Sequence, residues 1–198
     1  MTDDDAQFAE AVRSLRTRLK SEGFRAKGRT FFQRDGGNTM LISVQRSTAS
    51  TPSNVSVTVN YGVRSGLLAA RLNEDDGERA LTDIWKAHWR KRITDEHARE
   101  AWIEVDWSFG NRLLSAVEGI LPDLSSHSSD ASLRDEWLEG RSPGLTKMQQ
   151  LLYAAILVNE IGPPDKLQSV VDALRSLVEG TIHEGLVEAR LRTSGVNA

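Results

Sequence analysis

Apolar residues near the start of the chain recur first at helical spacing and then at strand spacing. Phe8, Val12, Leu15 and Leu19 fall on one stripe of a helix, with Arg13, Arg16 and Arg18 off it. Gly23 is a natural stop for that helix. Thr30 to Arg34 then read as a short strand and Asp35-Gly36-Gly37-Asn38 as a hairpin turn. Met40, Ile42 and Val44 alternate with Leu41, Ser43 and Gln45 in the next strand. The clearest signal follows: Val55, Val57, Val59, Tyr61 and Val63 alternate with Ser56, Thr58, Asn60, Gly62 and Arg64, which gives one buried and one polar face. Ser47 to Asn54, with Pro52, reads as a loop, so the strands form an antiparallel meander.

Gly66 to Arg71 reads as a short turn or helix, and Asn73 to Gly77 as a polar loop. Leu81 to Ile93 fits two periods. As a helix, Leu81, Ile84, Trp85, His88, Trp89 and Ile93 share a face; as a strand from Ala87, Trp89 and Ile93 point inward while His88, Arg90 and Arg92 point outward. The strand is preferred, and Ala101 to Asp106 reads as another. Helices follow. Leu113, Leu114, Val117 and Ile120 mark one that Pro122 limits, then a Ser-rich connection over Ser125 to Asp130 and a short helix around Leu133 to Leu138. After a break at Gly140 to Gly144, Leu145 to Asn159 form an amphipathic helix ended by Gly162-Pro163-Pro164-Asp165. Leu167 to Val178 continue the pattern, through Gly180 and Gly185 to Leu191, and pair with the preceding helix as an αα-hairpin. The fold class is α+β: an N-terminal helix, a mainly antiparallel sheet of about four to five strands, then C-terminal helices.

Four segments carry a family resemblance. They are Gly23-Phe24-Arg25-Ala26-Lys27-Gly28-Arg29-Thr30-Phe31-Phe32, Val44-Gln45-Arg46-Ser47, Asn60-Tyr61-Gly62-Val63, and His88-Trp89-Arg90-Lys91-Arg92-Ile93 with Trp102 and Asp106 downstream. Together they resemble the bacterial family called domain of unknown function 4304. Thr94 stands where that pattern often has Gly, and Ala101 where it often has Trp. The resemblance covers about residues 6–125 and implies an α+β domain there; the helical pattern of 126–198 lies outside it and reads as an extension packed on the same core. It implies no activity.

Composition narrows the classes. The 198 residues are 39% hydrophobic, with a formal net charge of −3, which suits a soluble domain with a sizeable core. The absence of Cys excludes disulfides, thiolate metal sites and Cys nucleophiles. The charge disfavours a general nucleic-acid binder. Thr2-Asp3-Asp4-Asp5 is the opposite of a signal-peptide n-region, and the longest apolar run, Leu151 to Val158, is too short for a membrane span. The expected location is cytoplasmic.

Three clusters offer chemistry, each beside a plainer reading. Gln45 and Ser47, with Ser56, Thr58, Asn60 and Arg64, project together from the polar face of the meander and suit a small anion or a peptide; the face is otherwise simply solvated or covered by a helix. Arg13 to Arg34 holds eight basic residues against Glu22, beside Phe31 and Phe32, a phosphate-contacting patch or a solvated face. His88, Arg90 and Arg92 lie near Trp85, Trp89, Trp102 and Trp107, a carboxylate or phosphate pocket or ordinary core tryptophans. Asp95-Glu96-His97 with Glu100, and His183-Glu184, lack metal-site spacing, and Glu104 with Asp106 is a weak acid–base pair. No metal site and no cofactor are expected, since Walker, G-x-G-x-x-G and G-x-S-x-G motifs are absent.

These observations lead to a non-enzymatic interaction module, an immunity or accessory protein beside a toxin being one instance. Its partner is a protein, or a second copy through the helices from Leu145 onward, with nucleic acid and membrane disfavoured. No catalytic motif is found, and enzymatic activity stays open. The alternative is a domain binding or acting on a small anionic ligand through a basic–aromatic pocket. Its site set is Gln45, Ser47, Asn60, Arg64, His88, Arg90, Arg92 and Trp102.

Overall fold

A computed structural model of the chain describes residues 3–51, 55–74, 77, 82–95, 97 and 99–196. Thr2, Pro52, Asn54, Asp75, Asp76, Leu81 and Glu96, which figure in the readings above, lie outside the described residues. Helix α1 (Asp3–Ser21) carries three Asp in its first turn and Arg18 and Lys20 in its last, complementing the helix dipole. It buries Ala11, Val12, Leu15 and Leu19, while Phe8 packs against the Phe109 ring at 6.1 Å.

Among the described residues six strands follow: β1 (Arg25–Lys27), β2 (Thr30–Asp35), β3 (Asn38–Arg46), β4 (Ser56–Arg64), β5 (Trp89–Arg92) and β6 (Ile103–Glu104). The order is β1-β2-β3-β4-β5, every pairing is antiparallel, and β6 pairs with the start of β4. The β2–β3 turn needs left-handed backbone at both central positions, and Gly36 (φ 54) and Gly37 (φ 95) supply it. Leu81 to Ile93 resolves into a 3-10 turn at Ile84–Lys86, capped by Asp83, and then β5.

The inner face of the sheet, with Phe31, Ile42, Val59 and Trp89, packs on α1 and on α3 (Phe109–Ser126). Pro122 does not limit α3, contrary to the sequence expectation; the helix runs four residues past it. The final turn is held by Leu124 in the core and by Asp123, which accepts hydrogen bonds from Tyr61 and Lys91. These contacts offset the roughly 3 kcal/mol that an internal proline costs.

Helices α2 (Gly66–Arg71), α4 (Asp130–Leu138), α6 (Leu167–Val178) and α7 (Glu184–Thr193) pack around α5 (Lys147–Ile161). That position explains the uninterrupted apolar run of α5, buried from Leu152 to Val158. A capping box joins Thr146 and Gln149 at its start. The expected continuation of α6 through Gly180 is replaced by a break: α6 ends at Val178, and Gly180 takes a left-handed φ of 68° before α7 begins. The C-terminal helices share one hydrophobic cluster with the sheet and α1. On the outer face a smaller cluster of Leu41, Ile84 and Ala87, with Phe32 against it, seats the segment that carries Trp85.

Candidate functional site

Alternation in β4 and β5 sends Asn60, Arg90 and Arg92 to the outer face, and cross-strand pairing sets Arg92 opposite Asn60. A hydrogen-bonded chain results. Asn60 Nδ2 donates to Gln45 Oε1 at 2.9 Å, and Arg92 Nε donates to Asn60 Oδ1 at 3.0 Å. Arg92 also pairs with Glu100. Two tryptophans flank this chain. The Arg90 guanidinium lies 5.5 Å from the Trp85 ring centre and donates to the Trp85 carbonyl; that of Arg92 lies 5.6 Å from Trp102. A cavity of about 490 Å³ opens beside this chain, lined by Asn60, Trp85, Arg90, Arg92, Glu100 and Pro143.

Arg64 and His88 sit apart from this surface, in a buried polar knot. His88 is 2% exposed, and the expectation that it points outward is corrected. Its Nδ1 accepts the Ser65 backbone N–H at 3.0 Å, which leaves Nε2–H to donate to Glu74 Oε2 at 3.1 Å. Arg64 donates to the Glu74 carbonyl at 2.9 Å, and the Tyr153 ring meets His88 edge-on at 5.2 Å. Burial alone would raise the Glu74 carboxyl, but the His88 hydrogen bond and the charges of Arg64 and Lys86 outweigh it and hold it below the usual 4.5. A carboxyl lowered by folding contributes stability above its unfolded value and loses it as pH falls through the folded one. Glu74→Gln is therefore expected to cost about 1 kcal/mol near neutral pH. In urea titrations at several pH values the deficit should shrink once pH drops below 4.5; a constant deficit would exclude the ionic contribution.

A second cavity, about 610 Å³, lies between α3 and the β5–β6 edge, with Tyr61, Trp102, Arg112 and Asp123 on its walls. Tyr61 donates to Asp123 Oδ2 at 2.8 Å, and Lys91 Nζ lies 3.1 Å from the same atom. Burial first, and then the Asp123 bond, push the Tyr61 phenol well above its usual value, so it stays a donor. The carboxylate is thus engaged twice and acts as a clamp between helix and sheet. The described residues contain no group of three or more His, Asp or Glu side chains placed to hold a metal ion.

Residues 15–118, from the middle of α1 through the whole sheet and into α3, match the family described as Domain of unknown function (DUF4304). The chain belongs to the DUF4304 family. No curated protein and no solved structure matches it. The outer-face residues Gln45, Asn60, Trp85, Arg90, Arg92 and Trp102 all fall inside the matched span, as do Arg64, Glu74 and His88.

Of the residues singled out in the sequence of this DUF4304 protein, the structure gathers Gln45, Asn60, Arg90, Arg92 and Trp102 on one surface. Arg64 and His88 are separated into the buried knot, and Ser47 is spent on a turn, its Oγ accepting the Ala49 N–H at 3.1 Å. Thr58 is buried, its hydroxyl donating to the Ala101 carbonyl at 2.8 Å. The sequence reading missed Glu74 and Asp123 altogether. Glu74 sits in an aperiodic loop, and Asp123 follows a proline that suggested a helix end, so no spacing pointed to either.

Proposed function

We propose that this DUF4304 protein is a cytoplasmic, non-enzymatic interaction module that docks a protein partner through the Trp85–Arg90 and Trp102–Arg92 pairs. The observation that carries the reading is that Trp85 and Trp102 are 55% and 42% exposed, yet each is held by an arginine of β5. Tryptophan and arginine dominate binding energy at protein interfaces, and side chains held before docking lose less entropy on it. Immunity and accessory proteins fall in this class, since they act by covering a partner rather than by turnover. The rival reading, a small anion held jointly by Arg64, His88, Arg90 and Arg92, is weakened by Glu74 and Glu100, which already engage three of these four side chains.

A second reading, self-association through the C-terminal helices, is favoured by exposed Leu177, Ile182 and Leu186, with Ile182 at 93%. One experiment separates the two. The tagged chain and its Trp85→Ala/Trp102→Ala variant are used to capture partners from a lysate of the source organism, and both are sedimented alone. The docking reading expects the double variant to lose at least about ten-fold of the captured partner with its thermal unfolding unchanged. Undiminished capture, or a stable dimer with no other partner, would overturn it.

A further inference from the structure

A third cavity, of about 610 Å³, lies on the outer face of the β1–β2 hairpin, and neither Trp85 nor Trp102 lines it. Its walls include Arg25, Lys27, Phe32, Gln33, Arg34 and Thr82. Register explains the grouping. Arg25 stands opposite Phe32, Lys27 stands opposite Thr30, and Arg34 follows Phe32 by two residues, so the three cations and the ring share one face. Phe32 is half-buried against Leu41, Ile84 and Ala87, which fixes its ring as a floor. Among the described residues no carboxylate lines the cavity, and none pairs with Arg25, Lys27 or Arg34. This differs from β5, where Arg92 already has Glu100, and from the knot, where Arg64 has Glu74.

Three cations that no described carboxylate engages, around an aromatic floor, suit a phosphate group joined to a flat ring. The volume matches a small molecule rather than an extended strand. We propose that this cavity binds a phosphorylated ligand of mononucleotide size, its ring stacked on Phe32 and its phosphate held by Arg25, Lys27 and Arg34. The cavity shares no lining residue with the tryptophan pairs, and the proposal does not rest on the docking reading.

The test uses the full chain with adenosine 5′-monophosphate, inorganic pyrophosphate and a short single-stranded oligouridine, followed by calorimetry at low and high salt. Adenosine monophosphate is expected to saturate below about 1 mM and to weaken with salt. Arg25→Ala/Lys27→Ala, at exposed edge-strand positions, should lower its affinity at least about ten-fold. Phe32→Leu should lower it by about five-fold while leaving pyrophosphate binding unchanged, a split that a merely misfolded variant would not show. No saturation by either small ligand would overturn the proposal and leave the cations as charges that protect a sheet edge. So would affinity undiminished in the double variant. Oligouridine binding far more tightly than the mononucleotide would replace the proposal with an extended nucleic-acid surface.

Discussion

Replacing Trp89 by alanine is expected to destabilise the protein by about 4 kcal/mol, the middle of the range for a fully buried aromatic. Trp89 is 0% exposed and is touched on several sides. Tyr61 meets it edge-on at 5.8 Å, His127 stacks on it at 4.2 Å and 18°, and the Lys91 ammonium lies 4.9 Å from the ring centre. His127 is itself anchored, its Nδ1–H donating to the Asp123 carbonyl at 2.7 Å. The lost ring would leave a void that neither the strand nor α3 can collapse to fill. A deficit of that size lowers the melting temperature by about 8–16 °C for a chain of this length. Trp89→Phe should cost far less, about 1 kcal/mol. The buried indole N–H has no hydrogen-bond partner, so its removal relieves a desolvation penalty while most of the stacking area remains. Equal losses in the two variants, or an alanine deficit under about 2 kcal/mol, would contradict this account of β5. Urea unfolding of both measures it.

The second large effect belongs to Gly62. A Cβ there would lie 2.3 Å from the Trp89 carbonyl oxygen and 3.0 Å from the Cβ atoms of Ala87 and Arg90. The obstruction is backbone, which cannot rotate away as a side chain does. Gly62→Ala is therefore expected to push β5 off β4 and to cost about 3 kcal/mol. Because β5 carries Arg90 and Arg92, the variant should also lose the arrangement that holds Trp85 and Trp102. Tryptophan fluorescence in the folded baseline should shift together with the drop in unfolding midpoint. A variant with wild-type stability and spectrum would show that β5 sits further from β4 than the structure has it.

Much of the fold was readable because burial leaves a period in the chain. The stripe through Val12, Leu15 and Leu19 and the alternation from Val55 to Val63 each report one apolar surface seeking cover. The turn at Gly36-Gly37 was readable for a local reason, since two consecutive left-handed residues demand glycine. Failures fell where a distant contact outweighed a local rule. Pro122 should end a helix, yet Leu124 and Asp123 are bound to the rest of the molecule strongly enough to carry α3 past it. The polar face of β4 left open whether Thr58 and Asn60 would be solvated or covered, because alternation says which residues share a face and not what lies over it.

The same division runs through the candidate site. Residue order alone determined the α+β class, the family and which residues of each strand share a face, because strand parity is a property of spacing; the β4–β5 pairing then set Asn60 beside Arg90 and Arg92. Which cations are already paired was decided only in three dimensions. Glu74 reaches His88 and Arg64 from a loop with no periodicity, and Glu100 reaches Arg92 from beyond β5, whereas no described carboxylate reaches Arg25, Lys27 or Arg34. The reason is physical: an ion pair depends on a few ångströms between groups far apart in the chain, and only the packed sheet and helices set that distance.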